Sequence, residues 1–508
     1  MKVNRNFFHI ICYYMAVIMK IFFPEYNRSV SVKEGDTILD VARKSGLEIE
    51  ATCSGRGTCG KCIVNVDGVK KLACRTFVED GMSVEIPSHG EEYEIETGYS
   101  QSLSLSPNSG KIAFAIDVGT TTVVVKAIDT GSGKEKSIRA FINPQRVYGA
   151  DVLSRINNSM DDASLLSKLI RDAIDEKICE ILNDLGDESS VIEKIVIAGN
   201  TTMMYLLLNL RCRSLGLAPF EPEYEILQVY SYSAVFDKGT LSCPVMIYPF
   251  ISAFVGGDIV SGLVNIEKHF ETENAPSYML VDMGTNGEIA YRCGSRLITT
   301  STAAGPALEG GNISCGMSGL PGAIYETTYE GEGRFSNKTI GGKPAIGICG
   351  SGVISVVATL LEANLITETG AFSEEIQDAK QIQIDDNVIF TQKDIREFQL
   401  AKGAIRAGID ILISEMGEAP GMLYLAGGFG QNINLYSAFL VGLIPEELRG
   451  RIRFAGNTSL GGCVDACLEE GFDTSPSVLS ITESSEEINL GSHKSFNDKF
   501  MEAMMFGE

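Results

Sequence analysis

Apolar and polar residues alternate along this chain with two different periods, and the change of period marks its organisation. Met19-Lys20-Ile21-Phe22-Phe23 reads as a strand, Pro24-Glu25-Tyr26-Asn27 as a turn and Ser29-Val30-Ser31-Val32 as a second strand. Ile38, Val41 and Ala42 then fall at helical spacing within Thr37–Gly46, where the glycine supplies a stop. Ile63-Val64-Asn65-Val66 and Val84-Glu85-Ile86 add short strands, so residues 19–95 are expected to form a small β-rich domain. Residues 96–110 are serine-rich and read as a flexible linker, with a reach of roughly 20 Å.

Beyond Lys111 the pattern becomes apolar strands alternating with helical segments, which predicts an α/β fold. Ile112–Ile116 is a strand that ends in Asp117, and Leu166, Ile170, Ile174, Ile178 and Leu182 mark one face of a helix over 163–184. Ile195-Val196-Ile197-Ala198 is a further buried strand. Met279-Leu280-Val281-Asp282, followed by Gly284-Thr285-Asn286-Gly287, echoes Asp117-Val118-Gly119-Thr120 and predicts two similar lobes, 111–275 and 276–475. In the second lobe Thr391 and Asp394 form a capping box for a helix running to about Met416. Met422–Ala426 makes a strand closed by Gly427-Gly428-Phe429-Gly430, and residues 476–508 are left as an acidic tail.

Charge narrows the partners. The 508 residues hold 42 Lys and Arg against 66 Asp and Glu, a net charge of −24 that disfavours nucleic acid and anionic membrane surfaces. A hydrophobic fraction of 44% excludes a disordered chain. Phe7–Phe23 is apolar and follows Lys2 and Arg5, but it lacks a small-residue cleavage site, and its run to Ile18 is short for a bilayer. Translation is therefore expected to start at Met15 or Met19, with residues 1–18 an extension. Thirteen scattered cysteines are no disulfide framework, and a cytoplasmic location is expected.

Four of those cysteines carry chemistry. Cys53, Cys59, Cys62 and Cys74 stand as C-x5-C-x2-C-x11-C, one residue wider at the first gap than the plant-type [2Fe–2S] spacing. Gly55, Gly57 and Gly60 let the backbone turn amide donors toward sulfur. Structural zinc also takes four cysteines, usually as two C-x2-C knuckles, and here only Cys59 and Cys62 make one. The segment resembles [2Fe–2S] ferredoxin domains of β-grasp type. Cys349, Cys463, Cys467 and the other scattered cysteines read as buried thiols.

Asp117-Val118-Gly119-Thr120-Thr121-Thr122 is a strand end and tight turn that can offer amides and hydroxyls to phosphate, while the carboxylate serves Mg²⁺. Asp282-Met283-Gly284-Thr285-Asn286-Gly287 repeats the design, and Gly427, Gly428 and Gly430 give a flat backbone surface for a nucleoside. No G-x-x-x-x-G-K-[ST] loop is present. In this order the three elements resemble the phosphate 1, phosphate 2 and adenosine motifs of the actin, sugar-kinase and chaperone (ASKHA) ATPases. The fold class expected is a multidomain α/β and α+β protein: a β-grasp ferredoxin-like domain plus a two-lobed, actin-like (ribonuclease H-like) ATPase domain.

The two modules on one chain resemble the ATP-dependent reductive activators of corrinoid proteins. Further blocks carry the resemblance, among them Asn143-Pro144-Gln145, Ala198-Gly199-Asn200-Thr201-Thr202-Met203, Ser252–Asp258, Ala304–Gly311 and Gly347-Ile348-Cys349-Gly350-Ser351-Gly352. One departure stands out: only the linker separates the cluster domain from Asp117, whereas some members carry an additional middle domain. The resemblance implies reduction of an inactive Co(II) corrinoid protein of a methyltransferase system to Co(I), with reduced ferredoxin or a similar carrier as electron donor. A homodimer is left open. It further implies iron ligation by the four cysteines, catalytic roles for Asp117 and Asp282 at Mg²⁺ and the attacking water, and phosphate contacts from Thr120, Thr121, Thr285 and Asn286. Gly427 and Gly428 would serve adenosine, while Asp258 and Glu309 read equally as turn residues. Two other classes stay open: an activator of a radical dehydratase or reductase, and a redox sensor that binds ATP without turnover.

Overall fold

The computed structural model describes residues 19–507 except 34, 48, 50–61, 87–109, 150, 187–190, 225–228, 237–240, 271–276, 377, 380, 428–432 and 470–475. The extension 1–18 and all but the last residue of the 96–110 linker lie outside the described residues. The chain divides into two compact units, residues 1–92 with 146–150, and residues 93–145 with 151–508.

In the first unit β1 (Met19–Phe23) pairs antiparallel with β2 (Arg28–Val32), and Asn27 takes the left-handed conformation that the tight reversal needs. Helix α1 (Ile38–Lys44) starts at Thr37, which forms a capping box with Asp40. β3 (Ile63–Val66) is the centre of a sheet between the edge strands β4 (Val69–Leu72) and β5 (Val84–Glu85), antiparallel to both. Ile21, Phe23, Ile38, Val41, Val64, Val66 and Val84 fill the core.

The second unit holds both lobes. Lobe I opens with a meander of β6 (Lys111–Val118), β7 (Thr122–Asp129) and β8 (Glu135–Ile142), followed by α2 (Val152–Ser159) and α3 (Ser164–Leu185). The buried face of α3 ends on Ile181 rather than Leu182. Each four-residue step overshoots a 3.6-residue turn, so a row read as i+4 drifts off the face and a three-residue step restores it. β9 (Val191–Gly199) returns parallel to β6, then come α4 (Thr201–Leu207), α5 (Arg213–Gly216), β10 (Val229–Ser231), α6 (Tyr232–Val235) and β11 (Pro244–Ile247). The sheet order is β10-β11-β9-β6-β7-β8. Helix α7 (Gly257–His269) leads out of the lobe.

Lobe II repeats that plan. β12 (Ser277–Met283), β13 (Gly287–Cys293) and β14 (Arg296–Thr302) form the meander. A small sheet of β15 (Ala323–Gly331), β16 (Arg334–Thr339) and β17 (Gly347–Ile348), helix α8 (Gly350–Glu362) and the hairpin β18 (Gln381–Asp385) with β19 (Val388–Thr391) follow. Helix α9 (Gln392–Met416) begins at the capping box of Thr391 and Asp394. β20 (Met422–Ala426) lies parallel to β12; after α10 (Leu435–Leu440), β21 (Ile452–Gly456) joins β20 and α11 (Thr458–Leu468) ends the repeat. Residues 476–507, expected as a tail, are built into the lobe. α12 (Pro476–Ser484) precedes β22 (Ser485–Glu487), which extends the sheet beside β14, and α13 (Phe496–Met504) lies on α9, where Gln399 donates to the Met504 carbonyl at 2.8 Å. The first five strands of the sheet order β21-β20-β12-β13-β14-β22 match the second to the sixth strand of lobe I, pair for pair.

Helices α7 and α11 pack between the two sheets, in one core with Ala113, Val196, Leu280 and Tyr424. Their approach depends on glycine: a Cβ at Gly462 would stand 2.1 Å from the Ser261 carbonyl oxygen.

Candidate functional site

The lobes meet at their echoing turns. In lobe I the Gly119 amide donates to the Thr122 carbonyl at 3.0 Å, and a Cβ at Gly119 would stand 2.6 Å from that oxygen. In lobe II the Gly284 amide donates to the Asn286 carbonyl at 2.9 Å. Both turns reach Glu309, which follows β14 on a single 3-10 turn. Its carboxylate accepts from the Thr121 hydroxyl at 3.1 Å and from the Thr285 hydroxyl at 3.0 Å. Two of the three threonine hydroxyls expected to touch phosphate therefore converge on one carboxyl. Thr120 points to a different partner, Asn200, whose amide donates to its hydroxyl at 3.1 Å, while buried Arg155 donates to its carbonyl. Asn143 holds the turn from behind, donating to the Gly119 carbonyl at 2.9 Å.

The carboxyls at the strand ends sit in unlike surroundings. Asp117 accepts from Asn457 at 2.8 Å and from Ser459 at 2.7 Å, both at the start of α11. Burial raises its pKa and those two donors pull it back. Asp282 has no hydrogen bond to another described residue, and burial, followed by the charges of Asp258, Asp117 and Glu309, pushes it up to about 8. Asp258, in the first turn of α7, is pushed up to about 7 by burial and then by Asp117. Glu288 on β13 is raised well above the usual carboxylate range by burial and then by Asp258 and Asp282, and Glu309 is raised by burial. Five carboxyls thus influence one another in a region of low dielectric, where like charges cost most. No three His, Cys, Asp or Glu side chains among the described residues stand close enough to hold a metal by themselves. Mg²⁺ binds through one or two carboxylates and fills its shell with phosphate oxygens and water, so Asp117 or Asp282 would be enough to hold it.

Gly427 lies against the lobe II turn at φ 96°; a Cβ there would stand 2.6 Å from the Met283 carbonyl and 2.8 Å from the Asp282 carboxylate. Only glycine allows that approach. Gly428 and Gly430 are outside the described residues. A cavity of about 490 Å³ beside Arg406, Tyr436 and Phe439 in lobe II is lined by none of these groups.

In the first unit, Cys62 and Cys74 are buried with sulfurs 3.3 Å apart, and the Ala73 amide donates to the Cys62 carbonyl at 2.7 Å. Two thiolates on one tetrahedral metal at about 2.3 Å would stand roughly 3.8 Å apart, so this pair needs little movement to share an iron. Cys53 and Cys59 are outside the described residues. Cys349, Cys463 and Cys467 are buried thiols, as expected. Sequence reasoning missed Asn457, Ser459, Glu288 and Arg155. Asn457 had a visible signal as a helix cap, since it accepts from the Leu460 amide at 2.8 Å, but nothing linked it to Asp117.

A model of a 2Fe-2S iron-sulfur cluster binding domain matches residues 26–89, the RACo middle region matches 112–271, and the C-terminal domain of RACo, the ASKHA domain, matches 277–508. The RACo middle region coincides with lobe I. The chain is 27% identical to the corrinoid activation enzyme RamQ of Eubacterium limosum, over 96% of this chain and 99% of that protein. It is 28% identical to the [Co(II) methylated amine-specific corrinoid protein] reductase of Methanosarcina barkeri, over 70% of each. Among solved structures, a reductive activator for corrinoid, iron-sulfur protein matches with a TM-score of 0.68 at 25% identity, covering 96% of this chain and 98% of that one. With its three blocks matched in order, the chain belongs to the family of RACo-type reductive activators.

Proposed function

We propose that this protein reactivates a corrinoid protein by ATP-dependent reduction of Co(II) to Co(I), with the electron passing through its ferredoxin-like unit. The observation that carries the reading is the joining, in one chain, of a cysteine pair at ligand spacing to a two-lobed cleft whose paired hydroxyls, Thr121 and Thr285, meet at one point. Cys53, Cys59, Cys62 and Cys74 would hold a [2Fe–2S] cluster, which supplies one-electron transfer when bound. Thr121, Thr285, Asn286 and the glycines of the two turns would contact the phosphates of ATP, with Thr120 joining them from its hydrogen bond to Asn200, and with Asp117 and Asp282 at Mg²⁺ and the attacking water. Gly427, Gly428 and Gly430 serve the adenosine side.

ATP enters the energetics through binding. The couple of a Co(II) corrinoid lies below ordinary donors, and each ~59 mV of mismatch is a tenfold factor for one electron. A cleft that closes on nucleotide gives the protein two states with different affinity for the corrinoid partner, and that difference drives the step. The setting is the cytoplasm; among the described residues no helix is long and apolar enough to cross a membrane.

The test is an anaerobic absorbance assay with a chemical reductant, Mg²⁺, ATP and a Co(II) corrinoid protein. The reading expects a Co(I) band that needs ATP and disappears in Cys62→Ala. Persistent Co(II) with several corrinoid partners, despite an intact cluster spectrum, would overturn it.

A further inference from the structure

Charge is distributed unevenly. Residues 19–89 carry ten Lys or Arg and ten Asp or Glu, so the ferredoxin-like unit is neutral within a chain of −24. Inside it the balance is uneven again. Between Ala51 and Val78, the stretch that contains all four cysteines, stand Arg56, Lys61, Lys70, Lys71 and Arg75 against one acid, Asp67. The structure places that acid in the β3–β4 turn, at the end of the hairpin away from the cysteine pair. Lys70 and Lys71 are exposed on β4, an edge strand, and make no ion pair among the described residues. Arg75 is exposed directly after Cys74. Ile63, next to Cys62, is 44% exposed.

We infer that the β4 edge, with exposed Lys70, Lys71 and Arg75 and the exposed Ile63 of the paired strand β3, is the docking face for an acidic protein electron donor. The inference rests on the proposed function and adds the surface and the chemistry of its partner. A cationic strand edge with a small exposed apolar contact suits a transient redox encounter: charge raises the association rate while a small apolar contact keeps dissociation fast. The remainder of the chain, with its excess of acids, would repel the same donor, so the cationic edge selects where it lands. In the encounter the reduced donor loses one electron and the ferredoxin-like unit gains it.

The test uses the full-length, cluster-loaded protein and a ferredoxin of acidic surface. Lys70→Glu with Lys71→Glu should weaken binding of the oxidised ferredoxin, followed by titration calorimetry at low salt, by about tenfold or more. It should slow cluster reduction by the reduced ferredoxin to a similar degree. Lys70→Gln with Lys71→Gln should fall between, and Lys33→Glu, a single charge reversal on an exposed lysine after β2, should have little effect. Reduced methyl viologen, a small cation, should reduce the doubly reversed variant at least as fast as the wild type. The inference is overturned if ferredoxin affinity and rate are unaltered in the double variant. It is equally overturned if Lys33→Glu weakens them as much, or if the double variant loses only corrinoid-protein binding. Failure of the parent reading would show separately, as absence of ATP-dependent Co(I) when viologen feeds the wild type.

Discussion

The β6–β7 turn of lobe I and the β12–β13 turn of lobe II are built alike and charged unlike. Each ends a central strand in aspartate and turns on glycine, and each sends a threonine hydroxyl to Glu309. Yet Asp117 is held by Asn457 and Ser459, while Asp282 has no hydrogen bond to another described residue and is pushed up to about 8. Duplicated architecture fixes where the two carboxyls stand. Their chemistry is set by what the rest of the chain brings to each, and here α11 serves only one. Two fixed donors favour the ionised form of Asp117 against its burial; on the proposed reading Asp282 would ionise when a cation arrives.

The largest effect that could break this comparison is on turnover. Asp117→Asn and Asp282→Asn should each lower ATP hydrolysis by about 10²-fold or more, leaving the cluster absorbance intact. Wild-type turnover in either variant would remove that aspartate from the chemistry. Stability should separate the same two substitutions. In EDTA at neutral pH, Asp117→Asn is expected to cost about 1–3 kcal/mol, because it mismatches one of two donors, whereas Asp282→Asn should be neutral or stabilising. Denaturant unfolding of the pair measures the difference.

Dependence on pH follows with a definite sign. Asp258 and Asp282 keep protons in the folded protein up to about 7 and about 8. The unfolded chain releases them near the ordinary carboxylate value of about 4. In EDTA their contribution to stability is therefore fullest below about pH 4 and is lost as pH rises toward 8. Mg²⁺ with ATP should flatten that slope, and a melting series across this range, with and without the pair, checks it. The last effect concerns the packing of α11 on α7. Gly462→Ala should cost about 1–3 kcal/mol, since its methyl would meet the Ser261 carbonyl, and should lower the unfolding midpoint in denaturant.

Much of this was legible in the chain. Strand period and glycine turns located β1, β6, β12 and β20, and the capping boxes at Thr37 and Thr391 marked helix starts, because these signals are local. The twofold echo at Asp117 and Asp282 predicted the repeated lobe. What escaped is non-local: Asn457 and Ser459 reach Asp117 across 340 and 342 residues, and no spacing rule connects them. Glu309 read equally as a turn residue because its role appears only when both turns close upon it. Residues 476–507 looked like a tail since β22 has just three residues, Ser485–Glu487, and gains its place by pairing with β14.

The most direct measurement is the proton count on nucleotide binding. Preformed Mg²⁺·ATP is titrated into the protein at pH 7 by calorimetry, in buffers of different ionisation enthalpy. If Asp282 and Asp258 are protonated until the cation arrives, binding to the wild type releases protons, and Asp282→Asn releases fewer. Binding without proton release, or with the same release in both proteins, would contradict the assignment of Asp282 as the carboxyl that awaits the metal.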